Sequence, residues 1–249
     1  MNFKLILTIL FIFLVSNSYT QQLKLEQYPE DNQLYARDIN DNASVVFSGS
    51  LSADSKVNKL LLKVYKDGIL YDEIIPEIET NKFNFSLLIK AGLVQYKFEL
   101  YHNADGVEKL SFVADNVVCG DAYIITGQSN SHWSSLQSTY SSPFCKSFGV
   151  KTGYEKYSDN DKKIRWGLAT GNCKTCKGEG WEKGYDGGGS TKIQYAVGVW
   201  GMELAKLLVE KHQIPVCIIN GGSGSSTIAE NMLYPEKISL ETSFGRLAY

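Results

Sequence analysis

The sequence predicts an α/β protein in which an antiparallel β-sandwich precedes an incomplete parallel-sheet domain. Two observations support this fold class. From about residue 22 to residue 115, short alternating or apolar runs are separated by turn residues, which is typical of antiparallel strands. After residue 115, longer apolar runs alternate with a helical pattern, which is typical of a parallel sheet. The 249 residues therefore divide into a leader (1–20), a sandwich domain (21–115) and an α/β region (116–249).

The leader has the pattern of a secretory signal peptide. Lys4 precedes an apolar stretch that runs from Leu5 to Val15, and small polar residues follow, so cleavage is expected near Ser18 or Thr20. The apolar stretch is too short for a comfortable membrane span, and no later segment could cross a membrane. We therefore expect an exported protein, secreted or periplasmic, without a membrane span.

Composition excludes some classes of partner. The net charge is −2, with 43% hydrophobic and 21% charged residues, as in ordinary globular proteins. This balance gives no electrostatic reason to expect nucleic acid as a partner.

The cysteines are interpreted in an oxidising compartment. Cys173 and Cys176 are three residues apart in a Gly-rich stretch, which predicts a local disulfide. A zinc site would need a second pair of ligands, and the three histidines are scattered, so no metal is expected. Cys119 and Cys217 each lie in an apolar strand-like run, where small buried hydrophobic residues are expected.

The sandwich domain carries clear turn signals. Asp67-Gly68 and Asp105-Gly106 are typical of two-residue hairpin turns between strands. No acids, bases or metal ligands converge in this region, so it is expected to pack or to contact sugars.

Three apolar strands are predicted in the α/β region, at residues 116–126, 163–170 and 214–220. Residues 194–212 have the apolar spacing of an amphipathic helix. Together they predict a parallel sheet covered on both faces. Residues 140–157 and 171–190 are interpreted as long loops.

The segment Gly127-Gln128-Ser129-Asn130 directly follows the first of these strands. Ligands of parallel α/β sheets bind beyond the carboxyl ends of the strands. Ser129 has two interpretations at this position. It could cap a helix, as serines commonly do, or it could be an exposed nucleophile beside a helix N-terminus that favours an oxyanion.

The stretch GDAYIITGQSN resembles the first block of the sialate O-acetylesterase-like carbohydrate esterases, a branch of the SGNH hydrolases. Three later stretches are similar to further blocks of that family in the same order: DNDKKIRWGLAT, GMELAKLLVEKHQIPVCIINGGSGSSTIAENM and LETSFGRLAY. The resemblance implies an SGNH-type, flavodoxin-like sheet and a serine nucleophile.

The resemblance also implies the roles of individual residues. Ser129 matches the nucleophile, and its own N–H would donate to the oxyanion together with that of Gly224. The family usually has Gly-Gly-Thr where this chain has Gly224-Ser225-Ser226, so Gly221 or Gly222 could replace Gly224 as the donor.

Other positions of the motif have supporting roles in the resemblance. Gln128 and Asn130 match residues that hold the turn and line the site, beside Gly127. Asp121 matches an acid that is expected to form structural hydrogen bonds.

A general base is the missing part of the site. In the resembling family it comes from an Asp-x-x-His segment, which does not occur before Tyr249. None of His102, His132 and His212 is a convincing replacement. We therefore expect a C-terminally truncated fragment that has little hydrolytic activity by itself.

The resulting hypothesis is an exported carbohydrate esterase that removes O-acetyl groups from sialic acid or a plant-type polysaccharide. Its partner would be the O-acetylated carbohydrate, and no organic cofactor or metal is implied. The alternative is a non-catalytic carbohydrate-binding or adhesion module that uses the sandwich and the Tyr- and Trp-rich loops.

Overall fold

β-strands dominate the structure. The computed structural model describes residues 23–128, 138–149, 165–171, 195, 197–220 and 227–229, and these contain eleven strands and one helix. The elements in chain order are β1 (Leu23–Gln27), β2 (Leu34–Ala36), β3 (Asn42–Leu51), β4 (Val57–Lys66), β5 (Ile69–Ile74), β6 (Lys82–Lys90), β7 (Tyr96–Ala104), β8 (Val107–Ile125), β9 (Cys145–Gly149), β10 (Arg165–Leu168), α1 (Gly198–His212) and β11 (Val216–Asn220).

Two antiparallel sheets face each other across the first core. One sheet has the order β1-β3-β6, and the other is the β5-β4-β7-β8 part of a larger sheet. Alternate residues of β3 are buried, as the period of a half-buried strand requires. The core between the sheets takes side chains from both of them, including Val45, Phe47, Leu60, Leu62, Ile89, Tyr96, Phe98 and Leu100. The antiparallel, sandwich-like arrangement predicted for this region is therefore observed.

Both predicted hairpin turns are confirmed. Asp67 and Gly68 connect β4 to β5 with φ angles of 49° and 80°. Asp105 and Gly106 connect β7 to β8 with φ angles of 52° and 77°. Positive φ at both central residues characterises the type I′ turn, whose twist matches that of the flanking strands.

β8 is one strand of 19 residues that belongs to both halves of the described chain. Val107–Val117 pairs with β7 in antiparallel fashion, Val118–Gly120 pairs with β2 in parallel, and Asp121–Ile125 pairs with β11 in parallel. The strand is about 60 Å long at the usual rise per residue. The change in rhythm noted near residue 115 therefore corresponds to a change of partner within one strand. A bulge accompanies it, because Asn116 has a φ of 56° and the β7 register shifts there.

The other part of the larger sheet, named the mixed sheet here, has the order β10-β9-β11-β8. β11 is parallel to both β8 and β9, whereas β10 is antiparallel to β9. Two predictions are corrected here. The segment 163–170 supplies an antiparallel edge strand instead of a parallel one, and β9 lies within 140–157, which was interpreted as loop. The sequence of β9, CKSFG, does not predict a strand, because the buried residues Lys146 and Ser147 stand where apolar residues are expected.

α1 covers one face of the mixed sheet. It begins at Gly198, later than the sequence pattern indicated, and its buried residues are Gly198, Gly201, Met202, Ala205 and Val209. These residues share a core with Cys145, Val216 and Ile218. On the opposite face, Cys217 packs with Leu34 and Val118 within the described residues. α1 ends at His212, and the C-cap residue Gln213 has a left-handed φ of 57° and donates its N–H to the Val209 carbonyl.

The three cysteines among the described residues, Cys119, Cys145 and Cys217, are free and buried. They belong to three different clusters of the core, so they do not face one another. Burial raises the pKa of Cys119 and Cys145 to about 11 and that of Cys217 to about 12. The interpretation of Cys119 and Cys217 as small buried residues is confirmed.

Lys146 is fully buried where the two halves meet. Its Nζ donates to Asn32 Oδ1 at 3.3 Å, and within the described residues no carboxylate forms an ion pair with it. Burial lowers the pKa of Lys146 from 10.5 to about 8, although the carboxylate of Asp115 favours the charged form. A charged ammonium in this place costs free energy because water no longer solvates it.

Replacing Lys146 with methionine is expected to stabilise the protein and to remove part of its pH dependence. The lowered pKa means that the unfolded chain binds more protons than the folded one between pH 8 and pH 10.5. Wild-type stability therefore gains up to about 3 kcal/mol across this window, and Lys146→Met lacks that gain. Denaturant unfolding at several pH values measures the effect. Exposed Lys59→Met is the control, and an equal loss of pH dependence in both variants would contradict the account.

Candidate active site

The end of β8 presents the motif segment at the carboxyl edge of the mixed sheet. Ile125 is the last residue of the strand and is buried against α1. Gly127 follows with a φ of 135°, a conformation that side chains rarely allow, so the chain turns off the strand at a position that suits glycine. Gln128 is the last described residue before the predicted nucleophile.

Several predicted site residues lie outside the described residues: Ser129, Asn130, His132, Cys173, Cys176, Gly221, Gly222 and Gly224. Their roles stay predictions. What the structure does define is the ends of the strands that lead to them.

The register of β8 and β11 relates the two segments that carry the predicted oxyanion donors. Ile125 pairs with Asn220, and each is the last residue of its strand. Parallel neighbours lie about 4.8 Å apart and point the same way. Ser129 follows Ile125 by four residues, and Gly224 follows Asn220 by four residues. The strands that precede the two segments therefore end side by side at the same edge of the sheet.

Neither described histidine lies near this edge. His102 is on β7 and pairs with Lys109, about 50 Å along β8 from Ile125 at the usual rise per residue. Its Nδ1 is hydrogen-bonded to Ser111 Oγ, and burial lowers its pKa. His212 ends α1 just before β11 begins, which places it at the amino edge of the sheet. Neither of these two histidines is therefore placed to act as a base for the predicted nucleophile.

Gly120 and Asp121 of β8 both contact the carbonyl of Pro215, which precedes β11. A Cβ at Gly120 would lie 1.9 Å from the carbonyl oxygen of Pro215, so only glycine allows this approach. Asp121 donates its N–H to the same carbonyl at 3.0 Å. The carbonyl thus fixes where β11 begins beside β8.

The Asp121 carboxylate is held by Arg37, which follows β2. Arg37 Nε and Nη2 donate to the two carboxylate oxygens at 2.8 and 2.9 Å, and Nη1 donates to Asp41. The backbone N–H of Arg37 also donates to the Gly120 carbonyl. These hydrogen bonds raise the already high pKa of Arg37. Asp121 therefore has the structural hydrogen bonds expected of it, but its partner was not predicted because 84 residues separate the two.

Ser138, the next described residue after Gln128, forms a hydrogen bond with α1. Ser138 Oγ donates to Glu203 Oε1 at 3.2 Å and accepts the N–H of Tyr140 at 3.3 Å. Gly171 packs against Ser138 and Met202, where a Cβ would come within 2.8 Å of both side chains. No sequence signal indicated the contact between Ser138 and Glu203.

No group of three or more His, Cys, Asp or Glu residues is placed to hold a metal ion in the described part of the chain. No helix among the described elements is long and apolar enough to cross a membrane.

No protein-family model and no curated protein sequence matches the chain. Among solved structures, a carbohydrate acetylesterase from Xanthomonas citri is similar, with 19% identity and a TM-score of 0.44. The similarity covers 83% of this chain but 41% of that esterase. A family 56 carbohydrate-binding module that binds β-1,3-glucan has 8% identity and a TM-score of 0.24, covering 36% of this chain and 93% of the module. Likenesses this distant do not assign the chain to a family.

The Arg37–Asp121 pair is expected to stabilise the junction between the two halves. Both side chains are less than a third exposed and the contact is bidentate. Arg37→Met and Asp121→Asn should each lower the free energy of unfolding by about 1–3 kcal/mol. The double variant should lose less than the sum of the single losses, because the two groups interact.

Denaturant unfolding of the four proteins completes this cycle. The exposed pair Lys56–Asp105 is the matched control, because surface ion pairs contribute little. Additive losses at Arg37 and Asp121 would show that the pair does not couple the halves.

Proposed function

We propose that this chain belongs to an exported serine esterase that removes O-acetyl groups from a carbohydrate. The observation that carries the proposal is the pairing of Ile125 with Asn220. These two residues end adjacent strands at one edge of the sheet, where ligands of parallel sheets bind, and the predicted segments of Ser129 and Gly224 follow them in the sequence. The resemblance of the motif GQSN to an esterase nucleophile and the signal-peptide pattern support the same proposal.

In the proposed reaction, Ser129 Oγ attacks the acetyl carbonyl while a base takes its proton. The N–H groups of Ser129 and Gly224 hold the oxyanion of the tetrahedral intermediate. The sugar oxygen leaves with a proton, and an acetyl-enzyme is formed. Water then attacks the acetyl carbonyl, releasing acetate and restoring the serine. Each oxyanion donor of this type contributes about 10²–10³ in turnover.

The base of the proposed reaction is a histidine outside the described residues. His102 and His212 are excluded by their positions on β7 and at the amino edge of the sheet. A histidine oriented by an aspartate is the arrangement that the resemblance implies. It would take the Ser129 proton and return it to the leaving sugar oxygen.

Sialic acid or a plant-type polysaccharide is the proposed acetylated substrate. The sialate assignment is supported by the resemblance of the motif blocks alone. A xylan or pectin acetylesterase is the alternative within the same reaction class.

A second candidate function is carbohydrate binding by the sandwich without catalysis. Its supporting observation is a network on the outer face of β4 and β7. The Tyr65 and Tyr101 hydroxyls both donate to Glu99 Oε2, at 3.0 and 2.7 Å, and Lys97 forms an ion pair with the same carboxylate. These bonds lower the pKa of Glu99 and raise that of Tyr101 to about 12. The two aromatic rings are thereby fixed on an outward-facing sheet surface.

Ser129→Ala in the full-length protein tests the proposed function. Loss of the nucleophile is expected to lower hydrolysis of acetylated carbohydrate by at least about 10³-fold, because no other group can form the acetyl-enzyme. Ser131→Ala is the matched control and should stay close to wild type. Acetate release measures both. Glycan binding that saturates in wild type and Ser129→Ala alike, without acetate release by either, would favour the binding module instead.

A further inference from the structure

The first turn of α1 exposes a tryptophan. Trp200 is 39% exposed, whereas the next two residues, Gly201 and Met202, are buried against the sheet. Leaving a large indole surface in water forfeits the hydrophobic free energy of its burial. Exposed aromatic rings are for this reason common at surfaces that bind a partner.

Two contacts connect the start of α1, which carries Trp200, to described residues on either side of the predicted nucleophile segment. A Cβ at Gly201 would lie 3.1 Å from Ile125 Cδ1, so this turn of α1 touches the last residue of β8, four residues before Ser129. Glu203 in the same part of α1 accepts the hydrogen bond from Ser138, nine residues after Ser129. The chain on either side of the predicted nucleophile is therefore tied to the turn that carries Trp200.

Two charged residues follow Trp200 along α1. Trp200, Glu203 and Lys206 follow one another at intervals of three residues, so their side chains are neighbours along one side of the helix. The Lys206 ammonium lies 5.7 Å from the centroid of the Tyr140 ring. We name Tyr140, Trp200, Glu203 and Lys206 the α1 ledge. It combines a flat aromatic surface with an exposed carboxylate acceptor and an ammonium donor.

This combination fits the chemistry of a pyranose ring. A sugar has a face of C–H groups, which can pack on an indole, and a rim of hydroxyls, which donate and accept hydrogen bonds. Binding sites for such ligands use apolar and aromatic surface with a few polar groups that fix the orientation. Charged acceptors and donors such as Glu203 and Lys206 form the stronger hydrogen bonds.

We propose that the α1 ledge binds a sugar ring of the acetylated carbohydrate, with Trp200 packed against its C–H face. The role in catalysis rests on the proposed function, since the ledge would hold the acetylated substrate beside Ser129. Sugar binding itself does not require the reaction. The proposal can therefore be tested even where no hydrolysis is seen.

The experiment compares two substrates on the full-length protein: an acetylated xylo-oligosaccharide and 4-nitrophenyl acetate, which carries no sugar. Trp200→Ala should lower the ratio of kcat/KM for the oligosaccharide to that for the aryl ester by about tenfold, mainly through KM. Trp200→Phe keeps an aromatic face and should recover part of the ratio. Lys211→Ala, exposed at the other end of α1 and eleven residues from Trp200, should leave the ratio unchanged.

An unchanged ratio in Trp200→Ala would overturn the proposal. So would an equal change in Lys211→Ala, because the effect on the ratio would then not depend on the residues of the ledge. If wild type hydrolyses neither substrate, the proposed function fails and calorimetric titration of the oligosaccharide decides the inference. Saturable binding that Trp200→Ala abolishes would support it, and absence of binding to wild type would overturn it.

Discussion

The pairing of β8 with three successive partners is the constraint on which the rest of the structure depends. A single strand cannot change direction freely, so the antiparallel sheet that holds Val107–Val117 also sets the direction of Asp121–Ile125. The predicted nucleophile follows the far end of that strand. The sandwich therefore fixes the direction of the strand that precedes the motif segment. No linker separates the two, because β8 runs continuously from Val107 to Ile125.

At the junction between the two halves, small and polar residues allow β8 to pair with its neighbours. Gly120 leaves room for the Pro215 carbonyl, so β11 can begin directly beside β8. Arg37 fixes the Asp121 carboxylate from the β2 side of the strand. Lys146 is buried in the same region, where its ammonium donates to the neutral side chain of Asn32. Burial therefore disfavours the charged form of Lys146 and lowers its pKa. The junction therefore contains an ion pair, a close backbone contact and a buried amine, where an ordinary core would have apolar contacts.

Apolar periodicity and turn chemistry made much of this architecture predictable. The antiparallel strands, both Asp-Gly hairpins, α1 and β11 follow from local patterns that tertiary contacts reinforce. β9 could not be predicted, because its buried Lys146 gives it a polar appearance. The Arg37–Asp121 contact spans 84 residues and has no local signal. For the site, the sequence predicts the motif directly after a strand, whereas the pairing of that strand's last residue, Ile125, with Asn220 of β11 could be seen only in the structure.

Ser129, four residues after the end of β8, is the proposed nucleophile. The most direct measurement is peptide mass spectrometry of the full-length protein after reaction with a serine-reactive phosphonate. The account predicts one adduct, on the peptide that contains Ser129, with labelling slowed by acetylated substrate. An active protein whose adduct lies on another serine, or one that forms no adduct at all, would contradict it.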